Sequence, residues 1–311
     1  MKKAIIICGP TASGKSDFAH SLAKKYKGEI VNIDSRQIYK RIPIITASPA
    51  MDLQKELPYH LYNFLGVDQE FSVVKYIKLA ATKIKEISTK GNIPIIVGGT
   101  GLYINALLFG YNEIPSISSD IREYVRKLYT KIGAVDFFDS LKILDPLSAS
   151  KLNPNDTQRI LRAFEVFKQT GKSIVSFQEN QNVIPMPEFN FKIIFLYPER
   201  NFLYRICNER LEKMFNNGAI EEVFEIKKDL TNESGNRRKF PGIKKALGIE
   251  EIISYLDNEI SLAKAIELTQ NKTRQYAKRQ ITWFKNQITD KIVLEYSTIQ
   301  EFEKLISSYN I

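Results

Sequence analysis

An apolar run near the start of the chain leads directly into a glycine-containing loop pattern. Residues 4–8 read Ala-Ile-Ile-Ile-Cys, residues 9–16 read Gly-Pro-Thr-Ala-Ser-Gly-Lys-Ser, and Phe18 and Leu22 follow at helical spacing. A strand, a loop and a helix in this order are the context in which the pattern G-x-x-x-x-G-K-[ST] carries meaning. We therefore expect an α/β fold of the P-loop NTPase-like kind, with a parallel sheet flanked by helices.

The loop pattern also indicates a ligand. Glycines allow consecutive backbone N–H groups to converge on phosphate oxygens at the N-terminus of a helix. Lys15 adds a positive charge, and Ser16 offers a hydroxyl to Mg²⁺. The residues that we expect to bind a di- or triphosphate are Gly9, Pro10, Thr11, Ala12, Ser13, Gly14, Lys15 and Ser16.

Polar residues follow two further apolar runs that we interpret as strands. Residues 29–33 lead to Asp34, and residues 93–97 lead to Thr100 within a Gly-Gly-Thr-Gly segment. Because the carboxyl ends of parallel strands meet at one edge of a sheet, both side chains are expected near the phosphate-binding loop. On pattern alone, a functional role for Asp34, as a general base or a Mg²⁺ ligand, fits as well as a helix cap. Thr100 fits a ligand contact better than an unused position in a tight turn.

The rest of the chain predicts a core interrupted by a helical insertion. Residues 114–188 contain helical patterns and no strong strand, whereas residues 191–198 and 291–296 again read as strands. We predict a core domain over 1–113 and 189–311 and a small inserted helical domain over 114–188.

Two other segments have a recognisable pattern. Residues 72–90 show apolar side chains at steps of three and four, which predicts an amphipathic helix. Residues 232–242 are charged and contain glycine, which predicts a segment that is mobile or ordered by a ligand.

The formal net charge of +10 favours an anionic partner such as nucleic acid, although only the placement of the charge can decide. Residues 237–291 contain twelve Lys or Arg against six Asp or Glu. Arg274 and Lys278 are four residues apart and share a helical face, which suits contacts with phosphates. Trp283 and Phe284 fit a core position better than a base-stacking one.

Several single residues are ambiguous. Cys8 and Cys207 have no zinc-site spacing and are interpreted as buried thiols, and His20 as a surface position of a helix. Arg205 and Arg210 are five residues apart, so one can face solvent while the other reaches an anion. Surface salt bridging remains the default for both. No apolar run reaches about 18 residues, so we expect no membrane span and a cytoplasmic protein.

Six segments, in this order, resemble the tRNA dimethylallyltransferase family, also called tRNA isopentenyltransferases. They extend over nearly the whole chain: GPTASGKS at 9–16, DSRQIYK at 34–40, PYHLYNF at 58–64, GGTGLYINALL at 98–108, NDTQRILRAFEVFKQTGK at 155–172 and TRQYAKRQITWF at 273–284.

The resemblance implies a reaction. A dimethylallyl group would pass from dimethylallyl diphosphate to N6 of the adenosine just 3′ of the anticodon in tRNA, with diphosphate as the leaving group. It implies that Asp34 is the general base, that Thr100 helps to hold the substrate, and that Lys15, Mg²⁺ and Arg210 stabilise the charge on the diphosphate. Ser16 would bind the Mg²⁺.

The resemblance also implies an RNA surface and a monomeric enzyme acting on the tRNA anticodon stem-loop. The target adenosine would leave its stack and enter a channel between core and insertion. The corresponding positions are Asp34, Ser35, Arg36, Gln37, Thr100, Arg122, Gln158, Arg159, Ile160, Leu161, Arg162, Lys245, Arg274 and Lys278.

Two segments depart from the family pattern. Residues 41–49 lack both usual glycines and have Ser48 where lysine is common, and Ile249 stands at a usual tyrosine. These departures affect the expected loop shape and some RNA contacts. Cys/His pairs like those of the zinc-finger extension in eukaryotic relatives do not occur, which favours a bacterial-type enzyme.

The sequence pattern also allows three other functions. An ATP-dependent kinase would use the same loop and Mg²⁺. An isopentenyltransferase acting on free adenine nucleotides would need no RNA-binding insertion. An RNA-binding P-loop protein without catalysis would tolerate the loss of Asp34.

Overall fold

The computed structural model describes residues 1–66, 69, 71–179, 183, 185–230 and 242–310. Apart from Gly242, the segment 232–242, which the sequence predicts to be mobile or ordered by a ligand, lies outside these described residues. The described chain divides into two compact units, one formed by 1–108 with 185–311 and the other by 109–184. The sequence pattern placed the limits of the insertion at 114 and 188.

The first unit contains a six-stranded sheet in which every described pairing is parallel. The strands are β1 (Lys2–Cys8), β2 (Gly28–Asn32), β3 (Tyr59–His60), β4 (Ile93–Gly98), β5 (Phe189–Pro198) and β6 (Ile292–Tyr296). Their order across the sheet is β3-β2-β4-β1-β5-β6. The predicted α/β fold with a parallel sheet flanked by helices is confirmed.

Helices account for most of the remaining described chain. They are α1 (Lys15–Tyr26), α2 (Met51–Glu56), α3 (Val73–Thr89), α4 (Gly101–Phe109), α5 (Ser119–Leu144), α6 (Pro146–Lys151), α7 (Thr157–Thr170), α8 (Ile174–Gln178), α9 (Arg200–Asn216), α10 (Ala219–Leu230), α11 (Ile249–Leu256), α12 (Leu262–Gln287) and α13 (Ile299–Ser308), with a 3₁₀ helix at Ile243–Lys245. Within the described ranges, none of these helices has the length and apolarity that a membrane crossing requires.

The apolar run before the P-loop forms the centre of the sheet. Ile5, Ile6 and Ile7 of β1 are almost fully buried, because β1 has a parallel neighbour on each side and both sheet faces are covered. At its carboxyl end, Cys8 lies opposite Gly98 of β4 and Phe195 of β5. The loops that follow β1 and β4 therefore begin side by side.

The second unit has a hydrophobic core of its own. Phe137 of α5 is fully buried, and its ring centroid lies 4.7 Å from that of Phe164 in α7. Ile160 and Val125 pack in the same cluster. Helix α5 is broken at Gly133, whose φ of 81° is readily adopted only by glycine. The break lets the two halves of α5 pack around α7.

Three single-residue predictions can be compared with the structure. Cys8 and Cys207 are buried free thiols, as predicted. Phe284 is fully buried, which confirms its interpretation as a core residue. The prediction that His20 lies on the surface of a helix is wrong, because its side chain is only 13% exposed. The Tyr59 hydroxyl lies 2.8 Å from its Nδ1, and a carboxylate oxygen of Glu56 lies 3.4 Å from its Nε2.

Candidate active site

A cavity of about 520 Å³ opens at the carboxyl edge of the sheet in the first unit. Loops that follow β1, β2 and β4 meet there, as expected for ligand sites of open α/β sheets. Its lining comprises residues 11–17, Asp34, Arg36, Gln37, residues 45–50, Leu53, Val97, Gly98, Cys207, Arg210, Leu211, Met214, Ala246, Leu247, Thr273, Tyr276, Arg279 and Gln280.

The P-loop has the tight backbone that anion binding requires. Gly14, the residue before α1, has a φ of 67°, and a Cβ there would lie 2.3 Å from the ring of Phe302. Ser13 N–H donates to the carbonyl of Pro10 at 3.3 Å, which closes the turn. The Ser13 hydroxyl is buried and has no hydrogen-bond partner among the described residues. An anion in the loop would supply this missing partner.

Lys15 is the cation of the P-loop. Its ammonium donates to the carbonyl of Pro10 at 2.5 Å. Burial lowers the pKa of Lys15 to about 8, although the carboxylate of Asp34 acts in the opposite direction. A buried ammonium gains strongly from a neighbouring anion, so this position favours a phosphate ligand.

Arg210 places a second cation at the same loop. Its guanidinium donates to the hydroxyl of Thr11, and burial lowers its pKa. Arg205, five residues earlier in α9, is exposed and lies 3.4 Å from Glu209. The structure thus brings Arg210 into the cavity and leaves Arg205 on the surface. Lys15 and Arg210 together suit the several negative charges of a diphosphate.

Asp34 reaches the cavity through a turn held by a buried amide. Asn32 is fully buried, accepts from the N–H of Asp34 at 2.8 Å and donates to the carbonyl of Leu61 at 2.9 Å. The Asp34 carboxylate accepts from the N–H of Arg36 at 2.8 Å and from that of Gly99 at 3.4 Å. No helix begins within residues 35–50, so Asp34 closes a turn and is not a helix cap.

Thr100 connects two loops of the cavity. Its hydroxyl accepts from the N–H of Ser35 at 3.0 Å and donates to the Ser35 hydroxyl at 3.3 Å. The phenol of Tyr276 in α12 also hydrogen-bonds to Thr100, and burial raises the pKa of that phenol. The hydroxyl of Thr100 is therefore held beside Asp34 by its protein partners.

Arg36 and Gln37 hold neighbouring segments. The Arg36 guanidinium donates to the carbonyl of Gly242 at 3.0 Å. The Gln37 amide donates to the carbonyl of Ala47 at 2.6 Å and to that of Thr46 at 3.2 Å. Both side chains thus have structural partners at the rim of the cavity.

The segment that departs from the family pattern is held by a glutamate that sequence analysis missed. Glu222 of α10 accepts from the N–H of Ile44 at 2.7 Å and from that of Ile45 at 3.0 Å. Burial raises the pKa of Glu222, against the effect of these two hydrogen bonds. Ser48, at the usual lysine position, donates to Asn63 at 3.0 Å. The pairing joins residues about 180 positions apart, so no local signal marks Glu222.

Gln280 is a second residue that the sequence analysis did not single out. It lies in the segment 273–284, one of the six that carry the family resemblance, and it is only 6% exposed. Its carbonyl accepts from the N–H of Thr11 at 2.7 Å, and its amide donates to the carbonyl of Gly99 at 2.8 Å. The available signal was its spacing, three residues after Ala277 and four before Phe284, which places this glutamine on the apolar face of the helix.

The other predicted RNA contacts of the first unit belong to α12 and to the 3₁₀ helix. Lys278 is exposed, whereas Arg274 is half-buried. Arg274 donates to Asn208 at 2.6 Å and also to Asn271. Lys245 is the last residue of the 3₁₀ helix.

The predicted RNA contacts of the second unit divide by exposure. Gln158 and Arg159 are exposed on α7, and Arg159 pairs with Asp156 at 2.9 Å. The half-buried residues are Arg122, Leu161 and Arg162, of which Arg162 lies 3.6 Å from Glu165. Ile160 was expected to contact RNA, and for its side chain this expectation is wrong, because that side chain is 2% exposed and packs in the core of this unit.

The cavity offers oxygen ligands that fit Mg²⁺ in part. The Ser16 hydroxyl and the carboxylates of Asp17 and Asp34 all line it. Among the described residues, no group of three or more His, Cys, Asp or Glu could hold a metal on its own. Mg²⁺ in proteins commonly binds through one or two side chains, water and substrate phosphates, and this donor set agrees with that arrangement.

The family model, the related sequences and the solved structures that match this chain all carry names of the same kind of enzyme. A family model described as IPP transferase matches residues 37–287. The tRNA dimethylallyltransferase of Rickettsia massiliae is 57% identical over 305 residues, which are 98% of this chain and 82% of that protein.

Two solved structures are similar over nearly the whole chain. The tRNA isopentenylpyrophosphate transferase of Bacillus halodurans has a TM-score of 0.68 at 30% identity, covering 99% of this chain and 95% of its own. A eukaryotic dimethylallyltransferase described as acting on tRNA has a TM-score of 0.81 at 27% identity, covering 97% and 76% respectively.

Proposed function

The chain belongs to the IPP transferase family, and we propose that it transfers a dimethylallyl group from dimethylallyl diphosphate to N6 of the adenosine 3′ of the anticodon in tRNA, releasing diphosphate. The observation that carries this proposal is a cavity in which two half-buried cations, Lys15 and Arg210, lie together with the carboxylate of Asp34. Prenyl transfer needs both an anion site and a base.

The cationic side of the cavity suits the leaving group. As the bond between the allylic carbon and the diphosphate oxygen breaks, negative charge grows on the diphosphate. Lys15, Arg210 and the N–H groups of the P-loop are positioned to stabilise that charge. The unpaired Ser13 hydroxyl adds one more donor to the same loop.

Asp34 suits the acceptor side. The exocyclic amine of adenine is a weak nucleophile, because its lone pair is delocalised into the ring. When N6 bonds to the allylic carbon, it must lose one proton, and the Asp34 carboxylate can accept it. The hydrogen bonds from the backbone N–H groups of Arg36 and Gly99 fix the direction of this carboxylate. Thr100 is held beside it and would help to position the base.

Mg²⁺ would neutralise part of the charge of the bound diphosphate. Ser16 would hold it, together with the diphosphate oxygens. With Mg²⁺ bound, Lys15 and Arg210 would still bind the donor, and Asp34 would still remove the proton.

The acceptor is proposed to be the anticodon stem-loop of tRNA, bound by a monomeric enzyme in the cytoplasm. A net charge of +10 and exposed cations such as Lys278 and Arg159 support an RNA partner. A kinase or an enzyme of free nucleotides would not need an exposed cationic surface for a long polyanion.

Labelled dimethylallyl diphosphate tests the proposal. The protein is incubated with Mg²⁺, the labelled donor and unmodified tRNA, the same tRNA with guanosine in place of the adenosine 3′ of the anticodon, or AMP. We expect label only on the tRNA with adenosine. Label on AMP alone would indicate a free-nucleotide enzyme, label on the guanosine tRNA would place the target elsewhere, and label on none would contradict prenyl transfer.

A further inference from the structure

The side chain of Gln280 joins two loops that carry different parts of the reaction. Its amide oxygen accepts from the N–H of Thr11 in the P-loop at 2.7 Å. Its amide nitrogen donates to the carbonyl of Gly99, which follows β4, at 2.8 Å. The side chain is almost fully buried, so both bonds form in a region with little competing water.

The glycine loop after β4 packs closely against the part of α12 that carries Gln280. A Cβ on Gly99 would lie 2.3 Å from the amide nitrogen of Gln280 and 3.2 Å from the carbonyl oxygen of Gly9. A Cβ on Gly101 would lie 2.5 Å from the ring of Trp283, one turn after Gln280 on α12. The close approach of helix and loop therefore depends on glycines in the loop and holds the amide in place.

Each end of the bridge has a direct neighbour in the proposed chemistry. The hydroxyl of Thr11 accepts from Arg210, which would bind the diphosphate. The N–H of Gly99 donates to the carboxylate of Asp34, which would take the proton. Displacing Thr11 or Gly99 would thus shift the leaving group relative to the base.

We propose that Gln280 is a positioning residue that sets the distance between the diphosphate site at Thr11 and Arg210 and the base Asp34. The inference rests on the proposed function and adds a residue to its site. An amide suits this position because it offers one donor and one acceptor at the same end of a side chain. Glutamate would keep the acceptor for Thr11 and lose the donor to Gly99, and leucine would lose both.

The test compares Gln280→Leu and Gln280→Glu with the wild-type enzyme and with Gln270→Leu. Gln270 lies on the same helix and is half-buried, and its amide donates to Glu212 at 3.3 Å outside the cavity. For each protein, kcat with saturating donor and tRNA, the Kd of tRNA and the melting temperature are measured, with kcat taken well below the lowest melting temperature.

We expect Gln280→Leu to lower kcat by about 10- to 100-fold, since small misplacements of reacting groups have effects of this size. The Kd of tRNA should change by less than about twofold, and Gln270→Leu should match the wild type in kcat. If Gln280→Leu fails to fold, Gln280→Glu serves instead, and a loss of kcat at unchanged Kd is expected there too.

A double-mutant cycle with Asp34→Asn separates positioning from general stability. Because Gln280 acts through Asp34 and the diphosphate site, Gln280→Leu should cost much less in the Asp34→Asn background than in the wild type. Equal losses in both backgrounds, an unchanged kcat, or a tRNA Kd that weakens in proportion to activity would each overturn the inference. If the wild-type enzyme transfers no prenyl group, the proposed function itself fails, which is a different result.

Discussion

At the scale of single residues, buried polar groups decide where the reactive side chains point. Asn32 is fully buried and holds the chain on both sides of Asp34, so the carboxylate faces the cavity. Arg210 enters the same cavity because Thr11 accepts its hydrogen bond. These contacts cost conformational freedom and are stabilising only because each buried donor meets an acceptor.

Replacing Asp34 by asparagine should lower kcat by about 10²- to 10⁴-fold, because an amide cannot accept the proton of N6. The size and shape of the side chain are retained, so tRNA binding should change little. Single-turnover rates and a filter-binding assay with the same tRNA would measure the two effects. Wild-type turnover in the variant would rule out Asp34 as the base.

The pKa of Lys15 predicts a pH effect on donor binding. Burial lowers this pKa to about 8, so the free enzyme carries the ammonium below that pH and loses it above. The affinity for inorganic diphosphate should therefore fall by about tenfold between about pH 7 and about pH 9. Calorimetric titration would measure it, with Lys15→Arg as a variant whose charge persists at both values. A fall in Lys15→Arg as large as that in the wild type would contradict this origin.

At the scale of secondary-structure elements, α12 has two different faces. Thr273, Ala277, Gln280 and Phe284 recur at steps of three and four and are buried, whereas Lys278 and Arg279 are exposed. The buried face packs on the loops of the cavity, and the exposed face carries cations. One helix can thus support the site with one face and offer an RNA surface with the other.

Lys278→Ala should weaken tRNA binding and reduce the salt dependence of the association constant. Loss of one phosphate contact lowers the slope of log K against log salt by about 0.7 to 0.9. The double variant, with Lys278→Ala and Arg274→Ala, should lower this slope further, although the second change also removes the contact between Arg274 and Asn208. Lys264→Ala, at the start of the same helix, is the matched control. An unchanged slope in the Lys278 variant would remove this residue from the RNA surface.

At the scale of the whole molecule, two units with separate hydrophobic cores share one chain. The core around Phe18 and Leu22 lies on the sheet of the first unit, and the core around Phe137 and Phe164 lies in residues 109–184. Because each unit buries its own apolar surface, damage to one core should leave the local structure of the other intact.

Phe137→Ala should destabilise the second unit by about 3 to 5 kcal/mol, the usual loss when a fully buried aromatic ring is removed. Chemical denaturation would measure this effect, and calorimetry would show whether the first unit still binds inorganic diphosphate with wild-type affinity. Val135→Ala, an exposed position of the same helix, is the control. Parallel loss of diphosphate binding would show that the two units unfold together.

The sequence by itself determined the elements whose causes are local. The apolar run of β1, the P-loop and the spacing of Phe18 and Leu22 predicted a strand, an anion-binding turn and a helix, because periodicity and turn chemistry depend on neighbouring residues. The position of Asp34 and Thr100 at the ends of strands followed from the same patterns. Local spacing also showed that Arg205 and Arg210 could not share one face.

Only the tertiary structure decided which polar side chains connect distant segments. Thr11 and Gln280 are 269 positions apart, and Glu222 reaches Ile44 from 178 positions away. His20 is half-buried and Ile160 is fully buried, each against elements that its own surroundings in sequence do not reveal. Such contacts depend on how whole elements pack, since a buried polar group must find a partner wherever the fold supplies one.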